Sequence, residues 1–563
     1  MFNILSIHRL RLHHRYFSFN LSISRSVLKS FLFSLIISLS FSSLTFSSPP
    51  AGVKLAKEQT FHRGNGTEPH SLDPHIAEGV PSSNIHRDLY QGLLGETPNG
   101  DLMPGVASAW EINEDGTEYI FHIRPTAKWS NGDPVTAEDF VFSWRRVVDP
   151  VTASNYSQML APILNADKII KGDLPITALG VIAINEKTLK VKLHSPTPFF
   201  LGILTHSTAY PIHLGSFRKH GDKHTRPGNL VSNGAYMLEE WEVQSHVKLI
   251  RNKYYWDNEN TTIDNVYYYP TEDLNGEVLR YRAGEIDYTY QLPVSQIDRL
   301  KETLPKELNI VPYLGIYYYG LNLTQAPFKD TPVELRQALS MAIDREILTD
   351  KVLKDGSLPA YGWVPPGTLN YESKEYPWGK LSQEKRREKA KELYKKAGYS
   401  DKNPFRVEIR YNTHQNHKKV ALAVAAMWKK NLGVIATIIN QEWKVYIDVR
   451  QQKRVTQVFR SGWIADYNDP FSFIEMGLSY NGMNNTGYNN SEFDKLVSHS
   501  LQAKTLQERT SFLQQAETLM LNDFPYIPIY YYTTKRLVKP YIGGYVNNIM
   551  DHQYTKDFYI IEH

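Results

Sequence analysis

No cysteine occurs anywhere in these 563 residues, and that absence constrains the chain more than any motif it carries. It excludes disulfides, Cys-ligated zinc, iron–sulfur clusters and thiol nucleophiles. The fold must therefore hold by burial alone. At this length one core does not suffice, and about two to four domains are expected.

The first 48 residues read as a leader rather than as part of the fold. An apolar, Ser-rich run over Leu28–Phe46, with Lys29 at its start, follows Arg9, Arg11, Arg15 and Arg25 and precedes Pro49-Pro50. That is the pattern of a secretory signal peptide, with processing expected between residues 45 and 51. The run is marginal in length for a membrane span, and there is no cysteine to lipidate. The exported protein is therefore expected free in its compartment. A start at Val27 or Leu28 would give a shorter leader. Without the five leader cations, 58 of the 63 basic residues remain against 59 acidic ones, so the rest is near neutral. No basic stripe is present, and no nucleic-acid partner is expected.

Beyond the leader, two periodicities alternate. Gln59–Arg63, Trp110–Ile112, Glu118–Ile123 and Lys187–Leu193 alternate as strands, with a turn at Asp115-Gly116. A strand pair begins at Asn233-Gly-Ala-Tyr236 and runs through Val247–Arg251. Three tyrosine triplets, at 267–269, 317–319 and 530–532, sit in strand-like settings. Helical spacing covers Asn84–Leu94, Glu334–Ala342, Gln383–Ala397 and Lys418–Asn431, with Gly398 and Gly433 as stops. Thr136 with Asp139 predicts a capping box. The class is α/β or α+β with several sheets.

Arg460-Ser-Gly-Trp-Ile-Ala-Asp-Tyr-Asn-Asp-Pro470 is unlike a plain core strand. Its chemistry suits a zwitterion: Asp466 for an ammonium, Arg460 for a carboxylate, and Gly462 for close approach of another backbone. A structural Arg–Asp pair is the competing reading. Catalytic signatures are missing, with no Gly-x-Ser-x-Gly, no phosphate-cradling glycine loop and no His-Glu-x-x-His. His220 and His224 have metal-like spacing but no third ligand, so no metal or cofactor is expected.

A series of short segments carries a resemblance that spans nearly the whole chain after the leader. They include Ser71-Leu-Asp-Pro-His75, Glu78-Gly-Val-Pro81, Lys128-Trp-Ser-Asn-Gly132, Ser232-Asn-Gly-Ala-Tyr236, Tyr281-Arg-Ala-Gly-Glu-Ile-Asp287, Trp428-Lys-Lys-Asn-Leu-Gly-Val434, Asn440-Gln-Glu-Trp-Lys444, Gly462–Asp469 and Leu537-Val-Lys-Pro540. In this order they resemble the periplasmic oligopeptide-binding proteins of bacterial ABC importers, in family 5 of the extracellular solute-binding proteins. The resemblance implies a periplasmic-binding-protein-like α/β fold with two lobes, a hinge and three domains. One lobe would combine 52–90, 214–316 and 533–563, carry 91–213 as an added domain, and face a second lobe at 317–532. It also implies a monomeric, non-enzymatic receptor in the periplasm for peptides of about two to five residues, bound partly by strand addition, with membrane permease subunits as partners.

By position, the resemblance gives Asp466 the peptide ammonium. Arg460, Arg450, His417 and Lys351 become cations for the terminal carboxylate at different peptide lengths. Glu78, Val80, Tyr156, His206, Tyr318, Trp443, Gly462, Trp463 and Tyr531 match other cleft positions. Three departures stand out: Gly320 where a glutamate is usual, Gln291 for an asparagine, and Gly315 with Ile464 at positions open to cysteine. The first implies a side-chain pocket that has lost a charge. A murein tripeptide receptor of the same family is the near alternative, and an exported hydrolase the distant one.

Overall fold

The computed structural model describes residues 49–563, so the leader over 1–48 and the alternative starts lie outside the described residues. Among the described residues no helix is long and apolar enough to cross a membrane.

The first sheet joins segments far apart in the chain. Thr60–Gly64 runs parallel to Asn265–Tyr269, which pairs antiparallel with His246–Arg251 and through it with Tyr236–Glu242. Period-two alternation turns Phe61, Val247, Leu249, Val266 and Tyr268 into one core. The C-terminal residues close that core: Phe558 packs edge-on against Phe61, and the Gln59 amide exchanges hydrogen bonds with the Ile560 backbone.

A second four-stranded sheet orders Ala107–Ile112, Glu118–Ile123, Thr188–Lys192 and Val181–Asn185. Its helix, Ala137–Val148, begins with the expected capping box between Thr136 and Asp139 and buries Phe140, Trp144 and Val147. Arg146 on this helix ties the module to the first sheet's surroundings by an ion pair with Asp73 at 2.6 Å.

The third sheet has six strands in the order Leu358–Pro359, Tyr526–Leu537, Leu308–Leu321, Val458–Ile464, Arg406–Asn412 and Ile435–Gln441. The last two are parallel and joined by the helix Gln415–Leu432, which stops at Gly433 with φ +74°. That helix buries Trp428, whose indole N–H donates to the Leu339 carbonyl.

Leu308–Leu321 and Tyr526–Leu537 form one long antiparallel ribbon, paired from Leu308↔Leu537 to Gly320↔Tyr526. The Leu537 end bonds to Thr289, while the opposite end lies inside the six-stranded sheet. The register breaks between Pro312 and Ile316 and again between Tyr317 and Tyr318. Elsewhere the second module meets the six-stranded side directly. Phe199 stacks on Tyr467 and Phe471 at 5.4 and 4.7 Å, with the Arg509 guanidinium over its ring at 4.8 Å.

One expected element is shorter than its periodicity. The helix predicted over Asn84–Leu94 spans Val80–Leu89. Its final carbonyl, on Leu89, accepts from Gly234 N, and Gln91 N donates to the Asn233 side chain. These tertiary bonds pull the chain into the strand Leu94–Glu96.

Candidate functional site

A cavity of about 510 Å³ lies among the Val80–Leu89 helix, the ribbon and the Val458–Ile464 strand, a size ordinary for ligand sites. The strand is its organising wall. On one side it pairs with Leu308–Leu321 along its whole length. On the other it meets Arg406–Asn412 only at Val458 and Phe459. The backbone from Ser461 onward therefore has no strand neighbour there, and it lines the cavity as far as Asp466.

Arg460 is held by neutral groups. Its guanidinium donates to the Tyr532 hydroxyl at 2.8 Å and to the Asn412 side chain at 3.3 Å, and it lies 4.9 Å over the Tyr317 ring. The Arg460 carbonyl accepts from the Tyr446 hydroxyl. Arg450, on the helix Trp443–Gln452, donates to the Ser461 hydroxyl at 3.0 Å. No carboxylate pairs with either arginine among the described residues. The structural Arg460–Asp466 pair is therefore absent. Gly462 lines the cavity and has a local reason besides the one expected. A Cβ there would come within 2.4 Å of the Tyr532 hydroxyl, so the glycine makes room for the group that orients Arg460.

Asp466 stands at the other end. Its backbone N–H donates to Ser472, while its carboxylate has one neighbour of opposite type, His206 Nε2 at 3.5 Å. Burial pushes this carboxyl up to about 7. Burial, aided by the charges on Arg87 and His552, pulls His206 down to about 3. An ion pair between them is accordingly weak, because each is driven toward its neutral form. Nearby Glu475 is raised well above the usual carboxylate range by burial and by Asp466. The Tyr156 ring lies 5.2 Å from that of His206, and Glu78 accepts from the Asn155 and Gln451 amides.

Of the remaining expected positions, Val80, Tyr318, Trp443, Trp463 and His417 also line the cavity. Trp463 is fixed by an indole bond to the Ser472 carbonyl at 2.6 Å, and Tyr318 packs against Trp363 and Tyr526. His417, expected as a cation for the carboxylate, lines the cavity in a setting that disfavours its charge while no ligand is bound. It is buried against Tyr317 and His414, and burial with the nearby Arg460 charge drives its pKa well below the ordinary value.

Two positions fall outside the cavity. Lys351 is exposed, because its turn buries Leu348 and Leu353 and leaves it facing out. Tyr531 faces away from the cavity, while Tyr530 and Tyr532 line it, as strand alternation requires. The Tyr531 hydroxyl instead accepts from Gly362 N. Gly320 does not line the cavity either: its missing side chain is replaced by the Phe459 ring, so no charged pocket is lost there. Gln291 lines the cavity, and Gly315 pairs across the sheet with Ile464. The metal-spaced pair separates, since His224 turns inward to Asp73 at 3.3 Å. Asn412, His414, Arg87 and Tyr532 line the cavity without having been singled out in the sequence. Only Tyr532, in a triplet next to the chosen Tyr531, left a signal.

The model of the bacterial extracellular solute-binding proteins, family 5, matches residues 101–485. The chain belongs to this family. A periplasmic oligopeptide-binding protein OppA from Salmonella typhimurium is 45% identical over 526 residues, covering 93% of this chain and 96% of the relative. Among solved structures, Haemophilus influenzae OppA complexed with the peptide RPPGFSPFR gives a TM-score of 0.86 at 40% identity, over 90% of this chain and all of that one. A murein tripeptide-binding protein MppA in its unliganded open form gives 0.68 at 39% identity, over 91% and 99%. The arrangement seen in this family 5 chain is thus nearer the peptide complex than the open form.

Proposed function

We propose that this family 5 protein is a receptor that takes short peptides by their backbone and two termini and delivers them to an ABC importer. The observation that carries this reading is the wall from Arg460 to Asp466. It combines a strand edge without a neighbour, a buried carboxylate without a strong cation, and two arginines without carboxylates. The seven positions from Arg460 to Asp466 span at most about 20 Å, room for a peptide of about two to five residues. The peptide ammonium meets Asp466, and the strand edge adds the peptide backbone as a further strand. Arg450 takes the carboxylate of shorter peptides and Arg460 that of longer ones. His417, neutral in this state, shapes the wall, and Glu78, Val80, Tyr156, His206, Tyr318, Trp443 and Trp463 surround the side chains.

Residues 52–90, 214–316 and 533–563 make one lobe, with 91–213 added to it and 317–532 opposite. The register break at Pro312–Ile316 favours the ribbon as the hinge. The receptor acts as a monomer in the periplasm, exported by the leader over 1–48 and not lipidated. Native mass spectrometry of protein purified without unfolding tests the reading. Wild type is expected to carry a ladder of small peptides and Asp466→Ala to be empty. Two empty forms that also refuse added tripeptides would overturn it.

Arg450 favours one second reading, because a murein tripeptide brings an extra carboxylate that needs a further cation. A titration comparing tri-lysine with L-Ala-γ-D-Glu-meso-diaminopimelate separates the two.

A further inference from the structure

The cavity holds another cation that the two-terminus grip does not use. Val80, Ser83 and Arg87 fall on one face of the Val80–Leu89 helix, and all three line the cavity. Arg87 therefore lies about 10 Å along the helix from Val80.

The other cations on this side of the cavity have acidic partners. Lys535 pairs with Asp355 at 2.9 Å and Arg536 with Asp551, while His552 Nδ1 is 2.6 Å from Glu96. Glu96 also accepts from the Tyr554 hydroxyl at 2.9 Å. Arg87 has a 3.3 Å hydrogen bond to the Asn84 side-chain oxygen and no ion pair within 4 Å among the described residues; its charge also acts on the buried Glu96, whose carboxylate is already held by His552 and Tyr554. The Val80–Leu89 helix packs against the Ser207–Ala209 turn that His206 caps, Arg87's charge acts on His206, and His206 lies 3.5 Å from Asp466. The Arg87 corner is therefore close to the ammonium end of the cavity. A guanidinium in such a place matches a carboxylate bidentately.

We propose that Arg87, flanked by His552, receives the side-chain carboxylate of an aspartate or glutamate at the first or second position of the bound peptide. This rests on the peptide reading above and gives the receptor a preference for acidic peptides that the termini alone do not confer. Arg87 binds a side chain, so its loss spares peptides without one.

The test is calorimetric titration of ligand-stripped protein with Glu-Ala-Ala, Ala-Glu-Ala and their glutamine counterparts. Wild type is expected to bind one glutamate peptide at least tenfold more tightly than its glutamine twin. Arg87→Gln is expected to remove that difference while leaving glutamine peptides within twofold, and Arg87→Lys to keep part of it. No glutamate preference in wild type overturns the proposal, as does an equal loss for all four peptides in Arg87→Gln. Persistence of the preference in Arg87→Gln with loss in Arg450→Gln would assign the side chain to Arg450 and overturn it as well. Failure of every peptide to bind wild type would instead strike the peptide reading.

Discussion

The two ends of the cavity solve the problem of a buried charge in opposite ways. At the cationic end, Arg460 and Arg450 are surrounded by hydroxyls, an amide and aromatic faces that accept hydrogen bonds without cancelling charge. Arginine stays ionised under such conditions. At the acidic end, Asp466 has burial without a compensating cation, and its pKa rises to about 7. A carboxylate can escape its burial cost by taking a proton, and a guanidinium cannot. The cationic end is therefore fixed in charge before a ligand arrives, while the acidic end titrates near neutral pH and would be driven to its charged form by an ammonium.

The largest effect expected from this asymmetry is on binding. Asp466→Asn keeps the shape and removes the charge, and should weaken every peptide by about 2–5 kcal/mol in calorimetric titration. Equal affinity in wild type and variant would break the comparison.

The second effect is on the stability of the empty protein. Below 3.8 the Asp466 carboxyl is neutral in folded and unfolded chains alike, and no cost of burying its charge arises. As pH rises from 3.8 toward about 7 the unfolded chain ionises first, so the fold loses stability, and the loss is complete above that window. Asp466→Asn should therefore stabilise the ligand-free protein by up to about 4 kcal/mol at pH 8 and leave it unchanged near pH 3. Thermal melts across that range decide it. By the same linkage, peptide binding should release a proton, and affinity should weaken as pH falls from 7 toward 4 by at most about tenfold per unit.

A smaller effect separates the two arginines. Arg450→Gln should cost short peptides about 2 kcal/mol and spare longer ones, and Arg460→Gln the reverse. Titration with a tri- to hexa-alanine series sharpens this, and identical length profiles would contradict it.

The smallest effect lies outside the cavity. Phe199→Ala removes the ring between Tyr467, Phe471 and Arg509, and should weaken all peptides alike by about 1 kcal/mol through easier opening. A length-dependent loss would place Phe199 in recognition instead.

Much of this was legible in the residues themselves. Strand and helix periodicities located Glu118–Ile123, Thr188–Lys192 and the helices ending at Gly398 and Gly433, because repeat spacing and left-handed stops are local properties. The capping box at Thr136 was readable for the same reason. Asp466 and Arg460 were marked by their unusual company in one short stretch.

What the sequence could not decide depended on contacts between distant segments. Tyr531 and Tyr532 are chemically equal neighbours, and cross-strand register alone determined which faces the cavity. The helix over Asn84–Leu94 kept its period but lost its last turn to bonds from Gly234 and Asn233. The role of Gly320 was settled by the Phe459 ring across the sheet. Burial, which neutralises His417 and raises Asp466, is likewise a property of the assembled walls. The sequence determined which groups were present and their local elements. Only tertiary packing determined which way they point and which remain without a partner, because orientation and desolvation arise from neighbours hundreds of residues away.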